Sequence, residues 1–235
     1  MPKRISIVIP IYNEEQVIPQ LHQRTMAVAD AWEEEAEILF VDDGSYDRTP
    51  QLLRELADAD PRISVLRLSR NFGHQAAISA GMKHSTGDAV ILMDGDLQDP
   101  PEVLNSFLKE WRAGHHVVYG IRTKRKEPFL MRMVYKLFYR MLRIVSDIEI
   151  PDSAGDFSVM DRTVVNVLVN DMPERNRFLR GLRAYSGFSQ LGVVYEREAR
   201  AAGVPKYTPA KLLKLAFDGL FDFSTFPLRM AAYTG

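Results

Sequence analysis

An α/β fold of three layers, with helices on both faces of a mostly parallel sheet, is predicted by three observations. Short apolar runs recur along the first half of the chain, segments of helical periodicity separate them, and most of the runs end in polar residues. The runs are Ile5–Pro10, Ile38–Val41, Ile63–Leu68, Ala89–Met93 and Val117–Tyr119. Between them, a helix is expected over Val17–Glu35, with a strongly acidic end. Thr49-Pro50 reads as an N-cap followed by proline at the first helical position, opening a helix to about Ala59. Gln75–Lys83 is rich in small residues, which suits close packing on a sheet, and Pro101–Arg112 forms the helix after the fourth strand.

The bulk properties exclude several classes. At 235 residues, 46% hydrophobic and 26% charged, the chain has the composition of an ordinary globular protein, one large domain or a domain with an appendage. A net charge of −1 gives no global attraction to nucleic acid, and no nucleic-acid partner is expected. There is no cysteine, hence no disulfide framework and no thiol chemistry. The five histidines show no metal-ligand spacing and read as structural or solvated. No cleavable signal precedes Ile5, and no apolar run reaches the ~18 residues of a membrane span. The chain as given is expected to face the cytosol without itself spanning a membrane.

After Gly120 the character changes. Arg122 to Arg143 contains eight Lys or Arg residues and the single acid Glu127. On a helix, Arg132, Lys136, Arg140 and Arg143 fall on one stripe, with Leu130, Val134, Leu137, Phe138, Met141 and Val145 opposite. Such a basic amphipathic helix, over about 128–146, suits a membrane surface; packing of its apolar side on the domain's own core is the alternative. Asp152–Phe157 is rich in turn formers and reads as a loop leading into Ser158-Val-Met160. Asp161 is expected to cap a helix to about Asn170, Arg177–Tyr185 to form a second short helix, and Gln190–Glu196 a strand. Thr208-Pro209 again reads as N-cap plus first turn, and the segment it opens is crowded with Leu and Phe, as expected of a surface that meets lipid or a partner. The chain therefore divides into a domain over 1–208 and a juxtamembrane helical segment over 209–235.

Three strand tips present polar residues: Tyr12-Asn13-Glu14, Asp42-Asp43 and Asp94-Gly-Asp96. In a sheet with these strands as neighbours, they line the crevice where an open α/β sheet binds its ligand. Asp94 and Asp96 leave on one face if the chain stays extended, and two close carboxylates repel unless a cation sits between them. With Gln98 they offer hard oxygen ligands, which favour Mg²⁺ or Mn²⁺. A solvated acidic turn is the plainer reading of Asp-x-Asp alone. No Gly-x-Gly-x-x-Gly and no Gly-Lys-Ser/Thr loop occurs, which counts against dinucleotide enzymes and P-loop NTPases. A carboxylate such as Asp42 can accept the imide N–H of uracil or the N1–H of guanine, and a metal on Asp96 and Gln98 can hold a diphosphate.

Ile-Val-Ile-Pro-Ile-Tyr-Asn-Glu-Glu from Ile7, Val41-Asp-Asp-Gly-Ser-x-Asp-x-Thr49, Asn71-Phe-Gly-His-Gln75 and Met93-Asp-Gly-Asp-Leu-Gln-Asp-Pro-Pro101 resemble the family 2 glycosyltransferases. The match is closest to the polyprenyl-phosphate branch, which includes dolichyl-phosphate mannose synthases and bacterial undecaprenyl-phosphate glucosyltransferases, and it runs from Ile5 to Gly235. The resemblance implies a GT-A (Rossmann-like) fold and inverting transfer of a hexose, glucose from UDP-glucose first and mannose from GDP-mannose second, to polyprenyl phosphate. A non-catalytic nucleotide-sugar binding module at the membrane is a third reading. Carried over, Pro10, Tyr12, Glu14 and Asp42 would hold the nucleoside, and Asp94, Asp96 and Gln98 would hold Mg²⁺ or Mn²⁺ and the diphosphate. Arg122 and Arg132 would receive the acceptor phosphate, Arg200 and Lys206 would close over the diphosphate, and Asp156 would face the reaction centre from a loop. As a plainer alternative, Asp156 only bonds its own backbone, and Arg132 belongs to a solvated helix face.

Two features depart from that branch. Gly203-Val-Pro-Lys-Tyr207 carries Val-Pro where an acidic or polar residue and Ser are usual, so one backbone N–H donor is lost. Bacterial relatives continue into paired transmembrane helices, so the resemblance implies such helices after residue 235 and a site at the cytoplasmic face of the inner membrane. Gln-x-x-Arg-Trp is absent, against the processive cellulose- and chitin-synthase branch. Oligomeric state is not readable, and a homo-oligomer stays open. A phosphate monoester carries ≈ −1.5 to −2 charge at pH 7 and is already a nucleophile, so no strong general base is required. Asp156 is expected first to steer sugar hydroxyls.

Overall fold

In β1 (Arg4–Ile11), alternate side chains go to opposite layers. Ile5, Ile7, Ile9 and Ile11 pack with Leu21, Leu53 and Phe107 on one face, while Val8 packs with Leu39, Val90, Ile78 and Met82 on the other. Both faces are therefore apolar, as a strand enclosed by helices requires. The computed structural model describes residues 3–123, 154–172, 174 and 177–198.

The described strands are β1, β2 (Glu35–Asp42), β3 (Ile63–Arg67), β4 (Ala89–Leu92), β5 (Val117–Arg122), β6 (Ala154–Asp161) and β7 (Gln190–Tyr195). They form one sheet in the order β3-β2-β1-β4-β6-β5-β7. β1 to β4 are mutually parallel, and β7 is parallel to β5. β6 runs against both β4 and β5. The expected mostly parallel sheet is present, but this reversed strand at its centre was not foreseen. Asp152–Phe157 has a turn-like composition, yet from Ala154 onward it is strand. Pairing on both sides, with Ser158 opposite Leu92 and opposite Tyr119, overrides the local preference.

Helices α1 (Ile18–Ala29), α2 (Thr49–Ala59) and α4 (Leu104–Arg112, after a 3₁₀ turn over Pro101–Val103) cover the first face. α3 (His74–His84), α5 (Arg162–Asn166, running into a π turn over Val167–Asp171) and α6 (Leu179–Tyr185) cover the second. α1 stops at Ala29, short of the Glu35 expected, because Glu35 pairs with Arg4 in the sheet and binds its guanidinium at 2.9 Å. Arg48 rather than Thr49 is the N-cap of α2; proline follows in the first turn as expected. Asp161 caps α5 by accepting the Thr163 N–H at 3.0 Å. The small residues of α3 do bring it close: a β-carbon on Gly81 would lie 2.2 Å from Val8 Cγ1.

No helix among the described residues is long and apolar enough to cross a membrane. The basic stretch 128–146, the boundary at 208 and the segment 209–235 lie outside the described residues.

Candidate active site

The ends of β1, β2 and β4, strand β6 and the starts of α3 and α6 bring the polar residues together. At the tip of β1 the chain turns through Asn13, in the left-handed region at φ 50°. The Asn13 N–H donates to Ser45 Oγ at 2.9 Å and the Glu14 N–H to Thr49 Oγ1 at 3.0 Å. These bonds stitch the β1 tip to the β2 tip. Tyr12 stands edge-on to Tyr46, with ring centroids 6.1 Å apart, and Pro10 is half-buried in β1 opposite Val41.

Asp42 is fully buried. Its Oδ1 accepts the Ser45 N–H at 2.8 Å, and its Oδ2 lies 3.2 Å from Arg67 Nε but takes no aligned hydrogen bond. Asp43 accepts two backbone N–H groups at the start of α3, from Phe72 at 2.7 Å and Gly73 at 2.9 Å. Burial nonetheless pushes its carboxyl up, against those bonds and with Asp42 beside it.

β4 ends at Leu92, so the chain does not stay extended through Asp94 and Asp96 as the same-face argument assumed. It turns at Gly95 and passes through Leu97 at φ 57°. Glycine at 95 lets the turn lie close across the tip of β1. A β-carbon there would fall 2.3 Å from Ile11 Cδ1 and 3.2 Å from the Pro10 carbonyl oxygen. Asp96 is buried and accepts the Gln98 N–H at 3.1 Å. Asp94 Oδ1 meets His74 Nε2 at 3.4 Å.

His74 is also 3.7 Å from Asp156 Oδ2, so its ring bridges the β4 tip and β6. Asp156 is buried and bound in fork geometry by Arg180, Nε to Oδ1 at 3.0 Å and Nη2 to Oδ2 at 3.2 Å. Gln75 Nε2 donates to the same Oδ2 at 3.1 Å, while Gln75 Oε1 accepts the Leu179 N–H at the start of α6. Burial opposes charge on Asp156, but Arg180 and His74 prevail and hold its carboxyl well below the usual range. For His74, burial opposes protonation, and Asp94 and Asp156 outweigh it, raising the imidazole to about 8. One turn along α6, Arg183 is enclosed over the Tyr119 ring, and burial lowers it to about 10.

A second cluster surrounds Asp99, which is 1% exposed. The Tyr195 hydroxyl donates to its Oδ1, Arg197 Nε lies 3.2 Å from the same oxygen, and Arg122 Nη2 lies 3.5 Å from Oδ2. Arg122 Nε also donates to the Tyr195 hydroxyl at 3.3 Å.

Of the residues expected from sequence, Pro10, Tyr12, Glu14, Asp42, Asp94, Asp96, Gln98, Asp156 and Arg122 sit at the strand ends or in the strands just described. Asp156 differs from expectation in lying on a strand, and it bonds three side chains rather than only its own backbone. Arg132, Arg200 and Lys206 lie outside the described residues. No three His, Asp or Glu groups among the described residues are placed to hold a metal ion, and Asp94, Asp96 and Gln98 include only two such groups. The donor set still suits a hard cation. Burial first, then Asp99, Asp96 and Asp156, push the Asp94 carboxyl up against the influence of His74. A divalent ion would offset that surplus of negative charge.

Sequence reasoning assigned no role to His74, Gln75, Asp99, Arg180, Tyr195 or Arg197. His74, Gln75 and Asp99 carried a signal, since they stand in the Asn71–Gln75 and Met93–Pro101 motifs. Arg180, Tyr195 and Arg197 carried none.

A family model for glycosyl transferase family 2 matches residues 6–169. The chain belongs to glycosyltransferase family 2. This family member is 47% identical over 231 residues to the uncharacterized glycosyltransferase YkcC of Bacillus subtilis, covering 98% of the chain and 71% of that protein. It is 40% identical over 233 residues to the bactoprenol glucosyl transferase of Shigella phage SfX, covering 99% of the chain and 76% of that protein. The fold is similar to glucosyl-3-phosphoglycerate synthase from Mycobacterium tuberculosis, solved with Mn²⁺, UDP and phosphoglyceric acid. There the TM-score is 0.58 at 18% identity, covering 92% of this chain and 75% of that one. The mixed sheet with helices on both faces is thus the GT-A arrangement.

Proposed function

We propose that this family 2 glycosyltransferase moves glucose from UDP-glucose to a polyprenyl phosphate, with inversion at the anomeric carbon. The observation that carries this reading is the 40% identity to a bactoprenol glucosyl transferase along 99% of the chain. The geometry supports it, because a carboxylate-rich tip at β4 stands between a nucleoside-facing side at β1 and β2 and an arginine-rich side at β5 and β7.

On the nucleoside side, Pro10, Tyr12 and Glu14 shape the rim. Asp42 Oδ2, buried and without a hydrogen bond, is the acceptor that a uracil N–H suits. Asp94, Asp96 and Gln98 would hold Mg²⁺ or Mn²⁺ together with the diphosphate. When bound, the ion supplies neutralisation of charge on the leaving nucleotide. Arg200 and Lys206 would close over that diphosphate.

On the acceptor side, Arg122 and Arg132 receive the phosphate and aim one oxygen at the sugar. That oxygen needs no base, since the phosphate is already anionic. Asp156 is poorly suited to accept a proton, because Arg180 and His74 keep it ionised. Its role is to steer sugar hydroxyls and set a fixed negative charge near the anomeric carbon as positive charge develops there. With a lipid acceptor, the reaction takes place at a membrane surface, on the side that holds nucleotide sugars.

The test is incubation of the chain with polyprenyl phosphate, Mg²⁺ or Mn²⁺ and a panel of nucleotide sugars, following which sugar becomes lipid-soluble. Glucose from UDP-glucose is expected. Transfer of mannose from GDP-mannose instead would replace the donor assignment, and no transfer from any donor would remove the reading. Asp96→Asn should abolish turnover with the thermal midpoint preserved; retained activity would sink the metal assignment.

A further inference from the structure

Asp99 brings two guanidinium groups to one enclosed carboxylate. Arg122 arrives from the end of β5 and Arg197 from just beyond β7. The stretch carrying Arg197 is pinned there, because the Glu198 N–H donates to the Gln98 carbonyl at 2.9 Å. The Tyr195 hydroxyl stands between the groups, donating to Asp99 Oδ1 and accepting from Arg122 Nε. Two guanidinium groups, both partly exposed, thus face one carboxylate. Asp99 Oδ2 itself takes no hydrogen bond from Arg122. The guanidinium donors are therefore incompletely used, and two cations sharing one carboxylate can take a further anion. A phosphate monoester has the charge and the oxygen geometry that two arginine forks accept.

The position selects which phosphate. A β-carbon on Gly155 would lie 3.4 Å from Arg122 Nη2, which puts this guanidinium against the residue next to Asp156. Asp99 closes the turn after β4, while its two arginines come from β5 and from beyond β7, across β4 and β6 from the tips of β1 and β2. We propose that Arg197 joins Arg122 as a second cation for the acceptor's phosphate monoester, and that Asp99, with Tyr195, is the positioning residue that sets the pair. This rests on the reading of Arg122 as an acceptor residue.

The experiment measures equilibrium binding of two probes to the full chain by calorimetry: a short-chain prenyl phosphate, and UDP with Mn²⁺. Variants are Arg197→Gln, Tyr195→Phe and Asp99→Asn. Tyr195→Phe keeps the ring packed on Phe157 and guards against a folding defect at the buried Asp99. Each of Arg197→Gln and Tyr195→Phe should raise the Kd for prenyl phosphate about tenfold and leave the Kd for UDP within about twofold. An unchanged Kd for prenyl phosphate, an equal rise for both probes, or no binding of prenyl phosphate by the wild type overturns the inference. Sugar transfer is scored separately. A wild type that binds both probes but transfers nothing overturns the proposed reaction, while the calorimetry still decides the role of Arg197.

Discussion

Asp156 is held by an arginine fork, an amide and an imidazole, so its carboxyl stays well below the usual range and its direction is fixed. Arg180 supplies most of that restraint, because only a guanidinium fits both carboxylate oxygens at once. Arg180→Ala should leave a buried carboxylate with His74 as its remaining cation and cost about 3 kcal/mol in urea unfolding. Turnover should fall at least tenfold through loss of alignment. Arg180→Lys should recover most of the stability and little of the turnover, since a point charge cannot hold the fork. Equal recovery of both would show that charge alone, rather than orientation, is what Asp156 needs. Neither Asp156 nor Arg180 could be paired from sequence: they lie on different elements, and no spacing rule links a strand residue to a later helix.

At the scale of elements, the acidic turn after β4 works because of what passes beneath it. Gly95 leaves room for Ile11 and the Pro10 carbonyl, so the turn lies flat on the β1 tip. Gly95→Ala should displace the turn and reduce metal-dependent turnover tenfold or more, because small misplacements of reacting groups are costly. The rest of the fold should remain intact by circular dichroism. The nearer clash is with the end of a flexible side chain, so Gly95→Ala combined with Ile11→Val should regain part of the lost activity. An activity of Gly95→Ala equal to wild type would show that the turn has slack. The Asp-x-Asp spacing was plain in the sequence, but the turn that carries the two carboxylates was not. Leu97 adopts φ 57° without any glycine to announce it.

For the whole molecule, stability in acid depends on Asp156 and also on carboxylates far from the site. Arg112 binds Glu34 through a fork at 2.9 and 2.6 Å, and this hydrogen bonding lowers the Glu34 carboxyl despite partial burial. Burial tends to raise Asp161, but the Thr163 N–H and Trp111 Nε1 outweigh it and lower the carboxyl. Both groups bind protons more weakly folded than unfolded. Their stabilisation is therefore complete above the unfolded values of about 4 and is lost as pH falls through the lower folded values. Urea midpoints should accordingly be flat in these terms near neutrality and drop below about pH 4. The double variant Glu34→Gln, Asp161→Asn should show a shallower drop over that interval. An identical slope in the variant would place the acid sensitivity elsewhere.

The sequence by itself determined the strands of the first half, the helices between them, the family and the three acidic or polar tips. Those features depend on local periodicity, on punctuation by proline and glycine, and on motifs short enough to read along the chain. Tertiary structure alone decided that a turn-like segment becomes β6, reversed between β4 and β5, because pairing on both sides outweighs local propensity. It also decided which partners serve which carboxylates: Arg180 and His74 for Asp156, and Arg122, Arg197 and the Tyr195 hydroxyl for Asp99. Charge pairing depends on distance in space, and the residues concerned stand up to 98 positions apart in the chain.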